Sequence, residues 1–141
     1  MLEIGCAPGG ATVALLDRGC EVIGVDPQPV RLPDRLKGSG FRWIGRAIEG
    51  VPRDDLPDDV AWIVLDADVA APVALRSLDR LVPRYRKTLK GLLLTLKLND
   101  WDLAVRLPEF FERLRAMGAS RVEAAHLPAF RQELGAVAWL Q

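Results

Sequence analysis

Three charged side chains stand where a packed α/β domain gains little from charge. Asp66 closes the apolar run Val60-Ala61-Trp62-Ile63-Val64-Leu65, Lys97 closes Gly91-Leu92-Leu93-Leu94-Thr95-Leu96, and Glu133 immediately precedes the run that starts at Leu134. A lysine in such company has two chemistries open to it. Burial or nearby positive charge lowers its pKa and makes it a proton acceptor, whereas an aspartate beside it favours the ammonium form, which orients an oxygen by donating to it. A second group opens the chain: Glu3-Ile4-Gly5-Cys6-Ala7-Pro8-Gly9-Gly10. Its glycines can take backbone angles that a Cβ forbids and leave room for a ligand to approach the main chain, and Pro8 stiffens the turn. A strand, glycine turn and helix at the carboxyl end of a parallel sheet is where nucleotide-like ligands sit. Asp26 ends the next apolar run, Glu21 to Val25. At roughly twenty residues past the glycine turn, it is placed to accept hydrogen bonds from both hydroxyls of a ribose.

The spacing excludes two familiar nucleotide loops. Ala7 occupies the place of the second glycine in the dinucleotide fingerprint, and no Lys-Ser/Thr pair follows, as a P-loop would require. What remains is Glu-x-Gly-x-x-Pro-Gly-Gly. This pattern resembles the S-adenosylmethionine (SAM) loop of the FtsJ-like RNA ribose 2′-O-methyltransferases. The resemblance implies SAM as cofactor, contacted by Glu3, Gly5, Cys6, Ala7, Pro8, Gly9, Gly10, Asp26 and Asp66. It also implies that Glu49, matched across a gap after the third strand, faces the adenine. The family's active site is a Lys-Asp-Lys-Glu tetrad, and Asp66, Lys97 and Glu133 match three members in order, Glu133 within Arg131-Gln132-Glu133-Leu134. Leu96-Lys97-Leu98 and the glycine loop are most similar to the RlmM subgroup, which methylates a cytidine ribose in 23S ribosomal RNA. The partner implied is therefore RNA, namely rRNA of the large subunit. The tetrad's remaining lysine, and the RNA-binding region of RlmM-like proteins, both lie upstream of the first strand in the family and have no counterpart in this sequence.

The resemblance gives the residue types a chemical reason. A ribose 2′-hydroxyl is a poor nucleophile, so methyl transfer benefits from a base or a fixed acceptor for its proton. In this reading Asp66 orients Lys97 and contacts the methionine end of the cofactor. Lys97 steers the hydroxyl oxygen and takes its proton, and Glu133 holds the lysine or the ribose. A sulfonium is already an activated leaving group, so no metal is expected, and in-line positioning supplies most of the effect. Two other classes fit parts of the pattern: a SAM-binding module without transfer activity, and a class I methyltransferase acting on a small molecule or protein. The order Asp66, Lys97, Glu133 argues against the latter, and the loop spacing argues against a nicotinamide oxidoreductase.

The elements that must position these groups alternate along the chain. Strands are expected at residues 2–6, 21–26, 41–44, 60–66, 91–97, 121–127 and 134–140. Helices are expected at 12–18, 73–89 and 103–117, with Pro83 dividing the second and Pro108 moving the start of the third. The fold class is thus α/β, a doubly wound Rossmann-like sheet of the class I SAM-dependent methyltransferase type, seven-stranded and mostly parallel with one antiparallel edge strand. Its first strand is truncated, with an upstream helix and the rest of that strand expected in a longer chain. All 141 residues form one methyltransferase domain.

Zero net charge and 50% hydrophobic residues are an ordinary globular composition, which excludes holding RNA by bulk electrostatics but not by a local basic face. Such a face is offered by Arg76, Arg80, Arg84, Arg86, Lys87 and Lys90. Trp101, four residues past Lys97, is placed to stack on an RNA base. Cys6, Cys20 and the lone His126 make neither a zinc pattern nor a disulfide framework, and His126 reads as structural. A reducing, cytoplasmic location follows, with no membrane association, since no run has the apolar length of a membrane span.

Overall fold

A computed structural model of the chain describes residues 1–126 and 132–140. The strands are β1 (Leu2–Ile4), β2 (Val22–Val25), β3 (Phe41–Ile44), β4 (Trp62–Leu65), β5 (Gly91–Lys97), β6 (Arg121–Ala125) and β7 (Glu133–Trp139). The helices are α1 (Gly10–Leu16), α2 (Ala71–Arg84), α3 (Trp101–Val105) and α4 (Leu107–Ala116). All seven strands join one sheet in the order β3-β2-β1-β4-β5-β7-β6, with β7 antiparallel to both its neighbours and the remaining pairs parallel. The reversed strand is inserted between β5 and β6, so β6 is outermost on that side. The order reverses direction at β1, and that switch point opens a crevice at the carboxyl ends of the strands.

The pleat divides the core in two. Leu2, Ile4, Ile63, Leu65, Leu92, Leu94, Leu96, Ala136 and Ala138 point to one face, where α2 and α4 cover them with Leu75, Leu78, Leu81, Phe110 and Leu114. A smaller cluster on the other face joins Leu16 of α1 to Val22, Leu36 and Phe41. This second face is only partly covered: Leu93, between Leu92 and Leu94 in β5, is 41% exposed. Glu3, Lys97 and Glu133 lie on that same face, because each is one residue out of phase with the large core's side chains.

Several boundaries are shorter than the apolar runs suggest. β4 begins at Trp62 and β1 has three residues. Pro83 lies inside the last turn of α2, which ends at Arg84 rather than continuing to residue 89. Residues 101–117 form two helices, and Pro108 sits at the start of the second, where its missing N–H costs nothing. The expected end of β6 at Leu127 and Arg131 of the Arg-x-Glu motif lie outside the described residues.

Candidate active site

The glycine turn is fixed by contact with β4. Gly5 has φ +80°, and a Cβ there would come within 2.6 Å of the backbone of Asp66 and Ala67. Only glycine lets β1's turn and β4's end approach this closely. Gly9, at φ +118°, leads into α1 and accepts the Val13 N–H at 2.9 Å. Cys6 is buried, and burial pushes its thiol up to about 12, so it is an inert core side chain rather than a nucleophile.

Glu3 is 1% exposed and accepts the Thr12 hydroxyl at 2.7 Å, tying β1 to α1 beneath the turn. Burial, with Asp66 and Asp26 adding repulsion, raises its carboxyl to about 7 against the opposing pull of the Thr12 bond. Asp26 follows β2 and accepts the Ala7 N–H at 3.1 Å and the Gln28 N–H at 2.7 Å. A carboxylate has about four lone-pair sites, so each oxygen of Asp26 retains capacity for a ligand donor.

A cavity of about 590 Å³ opens over the switch point. Gly5, Ala7, Asp26, Glu49, Asp66 and Lys97 line it, with Ile4, Ile48, Leu65 and Val69 as apolar walls. Glu3, Cys6, Pro8, Gly9 and Gly10 do not: they lie under or behind the turn and shape it. The residues present fit SAM. A close-approach glycine, a carboxylate with spare acceptors and an apolar slot ending in a second carboxylate suit a nucleoside bearing a cationic tail. Among the described residues no group of three His, Cys, Asp or Glu side chains could hold a metal.

The acceptor side is built on a strand pair. Lys97 and Glu133 are directly opposed in the antiparallel ladder of β5 and β7, and Lys97 Nζ donates to Glu133 Oε1 at 2.8 Å. Asp68 Oδ1 lies 3.6 Å from the same ammonium. Asp66, by contrast, makes no ion pair with Lys97 within 4.0 Å; it acts on it only through space. The hydrogen bond that Lys97 donates to Glu133 raises the Lys97 pKa above the ordinary lysine value, opposed by partial burial. Lys97 in this state is an ammonium that donates and does not accept. Sequence reasoning missed Thr12, Asp68 and Ser77, the last of which donates to Glu49 Oε1 at 3.0 Å. Only Asp68 carried a signal, as the second acid in Asp66-Ala67-Asp68.

The two other expected surface groups differ. Trp101 is 86% exposed at the start of α3 and Val105, one turn on, is 78% exposed. The basic face is partly spent internally: Arg80 donates to the carbonyls of Ile48 and Glu49, and Arg84 to those of Leu56 and Pro57. Arg76, Arg86, Lys87 and Lys90 remain exposed.

A seven-stranded sheet of this order with its cavity at the switch point is the fold of the class I SAM-dependent methyltransferases. No known family profile matches the chain. Over 41 residues it is 49% identical to ribosomal RNA large subunit methyltransferase E of Thermoplasma acidophilum, a match spanning 29% of this chain and 18% of that protein. The fibrillarin pre-rRNA processing protein of Methanococcus jannaschii superposes with a TM-score of 0.72 at 16% identity, over 98% of this chain and 64% of that one. The 1,6-didemethyltoxoflavin-N1-methyltransferase of Burkholderia thailandensis, solved with S-adenosylhomocysteine, gives 0.70 at 19% identity, over 98% and 69% of the two chains.

Proposed function

We propose that the chain is a SAM-dependent methyltransferase acting on ribosomal RNA, and that its acceptor is a ribose 2′-hydroxyl of the large subunit, as in the RlmM subgroup. The observation that carries this reading is the Lys97–Glu133 pair at 2.8 Å beside a cavity lined by Gly5, Asp26, Glu49 and Asp66. The curated relative is of the E type and supports an rRNA substrate. The RlmM-like subgroup rests on Leu96-Lys97-Leu98 and the loop.

SAM supplies a methyl group on a sulfonium that needs no further activation. Asp26 would bind the ribose hydroxyls, Glu49 the adenine amine, and the Gly5–Ala7 main chain and Asp66 the methionine end. Asp66 lines the cavity where β4 ends at the Gly5 contact. Glu133 holds Lys97 as an ammonium, so in the free protein the lysine first orients the hydroxyl oxygen by donating to it. A neighbouring cation favours the neutral amine, so Lys97 beside a sulfonium would lose part of its raised pKa and could then accept the hydroxyl proton. Trp101 offers its exposed indole to a flanking base. The protein works in the cytoplasm on this reading, and among the described residues no helix is long and apolar enough to cross a membrane.

Lys97→Ala tests the assignment. It should lower methyl transfer to rRNA by at least about a hundredfold, the low end for a lost proton-transfer group, while leaving SAM affinity within a few-fold. The product is read as 2′-O-methylnucleoside by mass spectrometry after nuclease digestion. Methyl on a base instead of the ribose overturns the acceptor, and full turnover by the variant overturns the role of Lys97. A SAM-binding module without transfer is the second reading, favoured by the absence of an Asp66–Lys97 ion pair.

A further inference from the structure

The arginine-rich helix α2 does something other than face solvent. Ser77, Arg80 and Arg84 fall at i, i+3 and i+7, on one side of α2, and all three grip the crossover between β3 and β4. Arg80 bridges two successive carbonyls, donating to Ile48 at 2.5 Å and to Glu49 at 3.4 Å. These carbonyls belong to the short 3-10 turn Ile48–Gly50, and that of Ile48 also accepts the Val51 N–H at 3.3 Å, so the guanidinium reinforces the turn's own closing bond. One turn toward the amino end of α2, the Ser77 hydroxyl donates to Glu49 Oε1 at 3.0 Å. One turn the other way, Arg84 donates to Pro57 O at 3.2 Å. The turn is also anchored from below, since Ile48, Val51 and Leu56 are buried in the same core as Leu78 and Leu81 of α2.

Both Ser77 and Glu49 line the cavity over the switch point, whereas Arg80 stands behind it. The side chain that meets the ligand's base is therefore held twice, through its backbone by a guanidinium and through one carboxylate oxygen by a hydroxyl. With Oε1 partly committed to Ser77, the remaining acceptor sites of the carboxylate are fixed in direction. A fixed acceptor distinguishes a ring amine, which donates, from a ring carbonyl, which does not.

We propose that Ser77 and Arg80 are positioning residues that orient Glu49 and thereby set this site's preference for a 6-aminopurine over a 6-oxopurine nucleoside. The inference rests on the reading of the cavity as a SAM site with the adenine at Glu49. It adds two residues that touch neither the methyl group nor the acceptor.

The test is calorimetric titration of the full chain with S-adenosylhomocysteine and with its inosine counterpart, S-inosylhomocysteine. The readout is the ratio of their dissociation constants, with the thermal midpoint recorded alongside. The unaltered chain should favour the amino compound by about tenfold or more, the scale of one charge-assisted hydrogen bond. Ser77→Ala should cut that ratio several-fold with its thermal midpoint within a degree or two, and Ser77→Thr, which keeps the hydroxyl, should restore it. Arg80→Lys keeps the charge but cannot span two carbonyls, so it too should lower the ratio. Glu49→Gln, able to turn its amide either way, should bring the ratio close to one.

A merely structural role for α2 would move the midpoint and leave the ratio alone. If Glu49→Gln collapses the ratio while Ser77→Ala and Arg80→Lys keep it, the positioning role is overturned and the adenine reading stands. If Glu49→Gln also keeps it, or neither compound binds the folded chain, the reading of the base site is overturned and the proposal falls with it.

Discussion

Glu3 sits between Gly24 and Val64 in the middle of the sheet, with the Thr12 hydroxyl on one oxygen and Asp26, Asp66 and Cys6 as its titratable neighbours. The acidic position of the glycine motif thus supports the turn from beneath instead of reaching the cavity. Its carboxyl rises from 4.5 to about 7 on folding, so the unfolded chain releases this proton first as pH increases. The favourable contribution of the protonated form is complete below about pH 4.5 and is lost as pH climbs through 7. The difference across that window is on the order of 3 kcal/mol. Glu3→Gln keeps an acceptor for Thr12 and removes the titration. Urea unfolding should therefore find the variant equal to the parent near pH 4 and more stable by up to that amount near pH 8. Parallel stability curves across this window would show that the Glu3 carboxyl titrates alike in the folded and unfolded chain.

At the scale of elements, the sequence announced the framework because β2, β4 and β5 are each a short apolar run closed by a charge. Asp26, Asp66 and Lys97 thereby mark the carboxyl edge of the sheet in the sequence itself. The pairing of Lys97 with Glu133 was legible only as order along the chain. What makes it a contact is the register of β5 on β7, which follows from apolar alternation on both strands. Three features were not legible. Pro108 marked the start of α4, but that the residues before Arg106 form a helix of their own, α3, is concealed by the continuous apolar stripe. The inward use of Arg80 and Arg84 depends on crossover carbonyls more than twenty residues away in sequence, so an arginine face reads as solvated when it is a clamp. Asp68 takes the place beside Lys97 that sequence order gave to Asp66, because Asp66 is held at the Gly5 contact where β4 ends. That contact makes its own prediction. Gly5→Ala brings a methyl within 2.6 Å of backbone that cannot move aside, at a positive φ. The cost should be at least about 2 kcal/mol, read by denaturant unfolding, with loss of SAM binding in whatever fraction stays folded. Ordinary stability with ordinary SAM affinity would mean that β1 and β4 can separate without consequence.

For the whole molecule, the cavity is the place where otherwise separate parts meet. Gly5 follows β1, Asp26 follows β2, Glu49 lies in the β3–β4 crossover, Asp66 follows β4 and Lys97 ends β5. A ligand that touches all of them links both halves of the doubly wound sheet across its switch point, so binding and global stability must be coupled. The site is lined by four carboxylates, Asp26, Glu49, Asp66 and Asp68, against the one ammonium of Lys97, although the chain as a whole has zero net charge. This local imbalance favours a ligand with a cationic tail and disfavours one carrying a pyrophosphate. S-adenosylhomocysteine or SAM at a hundred times its dissociation constant should add about 2.7 kcal/mol, a rise in thermal midpoint on the order of 10 °C for a domain of this size. NAD at the same concentration should give no rise, since its phosphates face those acids. Asp26→Ala should abolish most of the rise by removing the ribose acceptors. Its effect on the unliganded midpoint, from the freed Ala7 and Gln28 N–H groups, is measured in the same scan and subtracted. An equal rise with NAD, or an undiminished rise with Asp26→Ala, would place the nucleoside somewhere other than at the end of β2.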